Sequence, residues 1–147
     1  FDPLRHEYFF AEAGSGAYAS GAHANDRRLR VSGRRNLTEA VFATGIPFIG
    51  RGTTEDQALF SRELCNIMAI SAGVRRFGSA ALDLAYVAAG RFDGFWEHGL
   101  KNWDIAAGIL WREANWCSCV AKQTTDRVRV EGANGHIALY DLVVSVH

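Results

Sequence analysis

The stretch that decides the fold runs from Gly73 to Ala114: GVRRFGSAALDLAYVAAGRFDGFWEHGLKNWDIAAGILWREA. Gly73 opens a short strand over residues 74–77, and Gly78-Ser79 turns it into a helix. Residues 79–89 are apolar nearly all round, so this helix is expected to be buried between layers. Gly90 is well placed for its left-handed C-terminal cap. Residues 92–97 read as an aromatic strand, and Trp103-Asp104 opens a second, mostly apolar helix over 104–114.

Working outward, alternating strands and helices continue on both sides, without repeats or low-complexity tracts. Residues 7–12 are aromatic and strand-like, and Gly14-Ser15-Gly16 is a turn. Residues 19–26 are small and polar and read as a loop. Leu29 and Val31 alternate with Arg28, Arg30 and Ser32, the period of a half-buried strand. Residues 40–46 form a more buried strand closed by Pro47. Thr54 with Gln57 three positions on suits a capping box, and Phe60, Leu64, Ile67 and Met68 line one helical face. Strands at 117–123 and 127–131 and an amphipathic helix at 135–146 complete the chain. This alternation predicts a layered α/β domain, a mixed sheet flanked by helices.

Composition narrows the function classes. A chain of 147 residues can bury a core of its own, and 48% hydrophobic with 22% charged residues is a globular balance. Sixteen basic residues offset sixteen acidic ones, so no net field draws nucleic acid or an anionic membrane. The paired arginines (Arg27-Arg28, Arg34-Arg35, Arg75-Arg76) sit beside strand-like residues and read as solvated edges. No apolar run reaches the roughly 20 residues that span a bilayer, and no charged-then-apolar leader is seen at Phe1. Three cysteines, Cys65, Cys117 and Cys119, give no disulfide framework, and a reducing cytoplasm is expected. Cys117 and Cys119 share one strand face. With His98 or His136 they still lack the two spaced ligand pairs of a zinc site, so a buried thiol pair is the better account.

Three elements carry candidate chemistry, each with a plainer alternative. Asp104, at a helix start, can cap free amides, and a carboxylate held there also suits a hard cation such as Mg²⁺. Gly78 and Ser79 serve the strand-to-helix turn, and the same helix N-terminus offers free N–H groups to polar or anionic ligands. Glu97 ends the aromatic strand, either as an exit into solvent or as a ligand contact. Asp83, inside the apolar helix, reads as a structural carboxylate with a local partner.

Taken together, Gly78-Ser79-Ala80, the strand ending in Glu97 and Trp103-Asp104-Ile-Ala-Ala-Gly resemble the C-terminal half of the inositol monophosphatase family. Phe1-Asp2-Pro3-Leu4-Arg5-His6-Glu7, Gly14-Ser15-Gly16-Ala17, residues 28–32, residues 43–47 and Gly132-Ala133-Asn134 extend the likeness over nearly the whole chain. Three places depart from the family: Asn102, where many relatives carry proline; the loop around residues 21–25, which is longer than usual; and Asn115 to Cys119, where paired glycines are usual.

The resemblance implies a Mg²⁺-dependent phosphomonoesterase acting on inositol 1-phosphate or a similar polyol or sugar phosphate. Asp104 would be a metal ligand, with Gly78, Ser79, Ala80 and Glu97 contacting substrate. Residues 1–36 would be the terminal hairpin and strand of the family's first domain, and residues 37–147 the substrate-side α/β domain. The family's upstream Glu and its Asp-Pro-x-Asp-Gly-Thr-like motif are not found in residues 1–147. The chain therefore reads as a part that has no catalytic set of its own and needs its missing half, with homo-oligomerisation or pairing with that half expected. The alternative is a non-catalytic structural or interaction module on the same fold.

Overall fold

The computed structural model describes residues 1–115 apart from 13, 22, 23, 49 and 51. The elements expected beyond residue 115, and with them Cys117 and Cys119, lie outside the described residues.

Two three-stranded sheets are present among the described residues. The first is antiparallel, in the order β1 (Tyr8–Glu12), β2 (Gly16–Gly21) and β3 (Ala24–Arg28), with Phe10 opposite Tyr18 and Tyr18 opposite Arg28. Residues 19–26, expected as a loop, are thus largely strand. Small residues carry little strand propensity, but Ala17 and Ala19 are buried and the ladder forms over that core. Conversely, the strand expected around Leu29 and Val31 is absent. The Leu29 N–H donates to the Ala17 carbonyl at 2.8 Å and its side chain is buried, after which the chain leaves the sheet. The alternation there marks one anchored residue in extended chain.

The second sheet is parallel, in the order β5-β4-β6, with β4 (Val41–Thr44) between β5 (Gly73–Arg75) and β6 (Gly94–Trp96). Parallel neighbours require crossovers. Helix α1 (Thr54–Ile70) links β4 to β5, α2 (Ala80–Ala88) links β5 to β6, and α3 (Asn102–Asn115) follows β6. Successive side chains of β4 point to opposite faces. Phe42 packs with Phe60 and Ile67 of α1, whereas Ala43 packs with Tyr86 and Val87 of α2.

Helix α1 begins one residue earlier than the spacing predicts. Thr53 is the N-cap and Asp56 completes the box, the Asp56 N–H donating to Thr53 Oγ1 at 3.2 Å and the Thr53 N–H to Asp56 Oδ2 at 2.7 Å. Its buried face also differs. Met68 is exposed, while Glu63 is buried and pairs with His98 Nε2 at 2.7 Å. A long charged side chain with a fixed partner can enter a core that composition alone would deny it.

The apolar helix lies between layers, as its composition predicts. Ala85 and Ala88 of α2 meet Ala17 and Ala19 of the first sheet and Leu29 just beyond it, while Tyr86 and Val87 face the second. Gly90 ends this unit with φ +70°. A Cβ there would lie 2.8 Å from the Arg30 carbonyl oxygen and 2.9 Å from the Ser32 nitrogen, so backbone on both sides requires glycine. Helix α3 packs closely on α2, where a Cβ on Gly108 would fall 2.5 Å from Leu84 Cδ1.

A polar network binds the N-terminal segment to α2. Asp2 Oδ2 accepts from the Tyr86 hydroxyl at 2.7 Å and from Arg5 Nη1 at 3.1 Å, and Oδ1 accepts from the Leu4 and Arg5 backbone N–H groups. Arg91 makes a two-pronged pair with Glu7 and lies over the Tyr86 ring at 4.6 Å. The Tyr86 hydrogen bond, followed by those from Arg5 and the backbone, holds the Asp2 carboxyl down at about 2 against the burial that opposes it. A depressed folded-state value stabilises the protein above the ordinary carboxylate value, and that contribution is lost as pH falls through 2. Tyr86→Phe is expected to lower the folding equilibrium constant roughly tenfold at pH 7. In urea titrations the deficit should shrink below pH 3; a deficit that is flat with pH would show that the hydroxyl does not act through Asp2.

Candidate functional site

The carboxyl ends of parallel strands and the N-termini of the helices that follow them gather on one edge of an α/β sheet, which is where such sheets bind ligands. Here that edge collects the end of β4 (Thr44, Gly45), the segment after β5 (Arg76, Phe77, Gly78), the residue after β6 (Glu97), and the first turns of α2 and α3. Four of the expected site residues, Gly78, Ser79, Glu97 and Asp104, belong to these elements, and Ala80 begins the helix just behind them.

Ser79 is the N-cap of α2 in extended conformation, and its side chain makes no capping hydrogen bond. Gly78 precedes it at φ +85°, a value that favours glycine. The capping role expected of Ser79 is therefore not filled by its hydroxyl, which leaves Oγ and the first-turn N–H groups of α2 for other partners. Ala80 itself is buried and packs in the core with Phe42 and Trp96.

Asp104 sits in the first turn of α3, half-buried, with Trp103 beside it exposed. Its Oδ2 accepts the Lys101 N–H at 2.8 Å and its own N–H donates to the Lys101 carbonyl at 2.9 Å. The capping interaction is real and uses one carboxylate oxygen. The other oxygen remains, on a side chain that solvent reaches and whose charge is felt at Glu97.

Glu97 is half-buried, and its carboxyl is pushed above the ordinary range first by burial and then by the Asp104 charge, against the opposing pull of Arg76 and His98. Behind it stands Asp83, fully buried on α2. Its carboxyl is pushed up to about 7 by burial first and by the Glu97 charge second, with Arg76 opposing. The local partner expected for Asp83 is not there: neither of its oxygens has a hydrogen-bond partner among the described residues. The guanidinium of Arg76 lies over the Phe48 ring at 5.9 Å, and its charge is felt at both Asp83 and Glu97. Sequence reasoning passed over Arg76 and Gly45. The signal for Arg76 was present in its position two residues before Gly78, but its arginine neighbour made it read as a strand edge.

Among the described residues no group of three His, Cys, Asp or Glu side chains is close enough to hold a metal ion. The residues present fit one ligand position, the open oxygen of Asp104, on an edge that already carries excess negative charge. They do not fit a complete cage, since Mg²⁺ wants near-octahedral oxygen coordination. No helix among the described residues is long and apolar enough to cross a membrane.

Fold and site together define an α/β protein that presents carboxylates, a cation and a helix N-terminus at the carboxyl edge of a parallel sheet, a class suited to small polar or anionic ligands. Residues 1–138 match the inositol monophosphatase family, and the chain belongs to that family. It is 54% identical over 110 residues to the inositol-1-monophosphatase of Mesorhizobium japonicum, covering 75% of this chain and 38% of that protein. It is 48% identical over 115 residues to the Nus factor SuhB of Escherichia coli, covering 78% of this chain and 40% of that one. Among solved structures it resembles the extragenic suppressor protein suhB of Bartonella henselae, at 54% identity and TM-score 0.68, over 78% of this chain and 41% of that one. It also resembles the inositol monophosphatase of Anabaena, at 39% identity and TM-score 0.66, over 78% and 44% respectively. The matched segment thus spans about two fifths of the length of these relatives.

Proposed function

We propose that this chain is the substrate-side part of a Mg²⁺-dependent phosphomonoesterase that acts on inositol 1-phosphate or a similar polyol phosphate, and that it works with further residues outside those described. The observation that carries this reading is the convergence of Glu97, Asp104 and the open N-terminus of α2 on one sheet edge, in a chain of the inositol monophosphatase family. Glu97 would accept a hydrogen bond from a substrate hydroxyl, and its raised carboxyl value means that this capacity is lost earlier on acidification than for an ordinary glutamate. Ser79 Oγ and the first-turn N–H groups of α2 would hold further oxygens of the polyol. Asp104 would give its open oxygen to Mg²⁺, which when bound supplies an activated water and charge neutralisation.

The division into a first-domain hairpin (1–36) and a substrate-side domain (37–147) belongs to the same reading. So does a cytoplasmic setting, which a free and exposed Cys65 suits. Exposed Leu4, Ile46, Phe77 and Trp103 support pairing with more chain or with another copy.

A second reading, a non-catalytic interaction module, is supported by relatives that carry the name Nus factor SuhB. Joining this chain to the part of the Mesorhizobium japonicum enzyme that it does not match, and assaying inositol 1-phosphate with Mg²⁺, separates the two. Turnover is expected from the joined protein, with Asp104→Asn lowering it at least ~100-fold while the melting temperature holds. A folded joined protein without turnover would favour the module.

A further inference from the structure

We infer that Gly45 is a positioning residue for Glu97: the space left by its missing side chain is the seat of the Glu97 carboxylate. This deepens the phosphatase reading, since Glu97 is the group proposed to meet the substrate hydroxyl.

Glycine is kept in folded chains for two separable reasons, a left-handed backbone or a lack of room. Eight glycines among the described residues have positive φ, namely 14, 16, 50, 52, 73, 78, 90 and 99, and Gly45 is not one of them. Its backbone is one that any residue can adopt, so room is the remaining reason. A Cβ built on Gly45 would fall directly on the Glu97 carboxyl group, its three nearest atoms being Cδ, Oε1 and Oε2. The sheet explains why. Thr44 pairs with Trp96 in the parallel β4–β6 ladder, and the Gly45 N–H donates to the Trp96 carbonyl at 3.3 Å. Residues 45 and 97 therefore leave the ends of neighbouring strands side by side. Thr44 and Trp96 just behind them are buried, and the carboxylate lies in the space beside Gly45.

The contrast with Gly90 shows what a side chain at residue 45 would do. At Gly90 the obstructing atoms are backbone, and the fold itself would have to move. At Gly45 they are the far end of a flexible side chain, which can swing away while the strands stay in place. Alanine at residue 45 should therefore displace Glu97 and leave the sheet intact. Residue 45 thereby decides whether the Glu97 carboxylate is presented at this edge.

A double-mutant cycle on the chain itself tests the seat without relying on any activity. In urea titrations Gly45→Ala is expected to lower the folding equilibrium constant about fivefold when Glu97 is present. The loss should vanish, or become a gain, in the Glu97→Ala background, where the gap is empty and alanine leaves the unfolded chain fewer conformations than glycine does. Glu97→Asp, whose carboxylate stops one carbon short, should recover part of the loss. If Gly45→Ala cannot fold alone, folding of the Gly45→Ala/Glu97→Ala double variant supports the inference. Equal cost in both backgrounds, or failure to fold in both, overturns it. In the joined enzyme Gly45→Ala is expected to raise KM for inositol 1-phosphate about tenfold with kcat within about threefold, and to have no further effect on Glu97→Ala. Absence of turnover in every variant would count against the phosphatase reading alone, because the stability cycle would still decide the seat.

Discussion

Trp96→Ala is expected to cost the fold about 3–5 kcal/mol and to lower the melting temperature by roughly 10 °C or more. Trp96 is 1% exposed and stacks on Phe60 at 6.4 Å, in the cluster that joins Phe42 of β4, Ile67 of α1, and Leu100 and Ile105 around the start of α3. Removing the indole opens a cavity where three elements meet, and a parallel sheet with a helix against it cannot collapse to fill the space. Against a total stability of about 5–15 kcal/mol, a loss of that size leaves a marginal protein. Trp96→Phe separates packing from polarity. The indole N–H is buried without a hydrogen-bond partner among the described residues, and a buried unmet donor costs about 1–3 kcal/mol. Phenylalanine gives up volume but removes that burden, so it should melt within a few degrees of the native chain. Thermal denaturation followed by circular dichroism checks both. An alanine variant melting as high as the phenylalanine variant would mean that the cluster is not the centre of the fold.

The features that were legible in the sequence are those in which local chemistry and tertiary position agree. The helix over Ala80–Ala88 is apolar all round because two sheets enclose it, and Gly90 ends it because backbone crowds that position. The places of Gly78, Ser79, Glu97 and Asp104 were legible for the same reason: they stand at strand and helix ends, which sequence punctuation marks well. What escaped were features set by partners distant in sequence. Ala19 and Ser20 become strand only because Phe9, Tyr8 and Arg27 pair around them. Glu63 enters the core because His98, thirty-five residues on, meets it there. The start of α1 moved from Thr54 to Thr53 because two adjacent threonines offer the same cap, and only Asp56 at the third helical position settles the choice. Gly45 belonged to the stretch that carries the family likeness, but nothing there tied it to Glu97, since a glycine retained for room looks like one retained for flexibility until Glu97 is seen lying against it.

Asp83→Asn is expected to stabilise the protein above pH 7 and to leave it unchanged near pH 4. The aspartate sits one turn into α2, fully buried, with both oxygens unpaired among the described residues and the Glu97 charge nearby. Its carboxyl lies at about 7 in the fold against 3.8 in the unfolded chain. Below 3.8 both states hold the proton and nothing is lost. Between 3.8 and 7 the unfolded chain releases the proton while the fold retains it, so rising pH favours unfolding, and above 7 the full penalty applies. A shift of that size, set first by burial, corresponds to at most about 4 kcal/mol, and to nearer about 2 once relaxation and water penetration around the buried carboxyl are allowed for. Asparagine keeps the shape and cannot ionise, so the variant should melt roughly 6 °C above the native chain at pH 8.5 and together with it at pH 4. Paired melts at the two values decide the matter. A gain of equal size at both would show that shape, and not charge, sets the cost. No gain at either would mean that Asp83 finds a partner in solution, and the strongest candidate is Arg76, whose charge already opposes the upward shift. Asp83→Asn would then stabilise the Arg76→Ala variant where it does not stabilise the native chain.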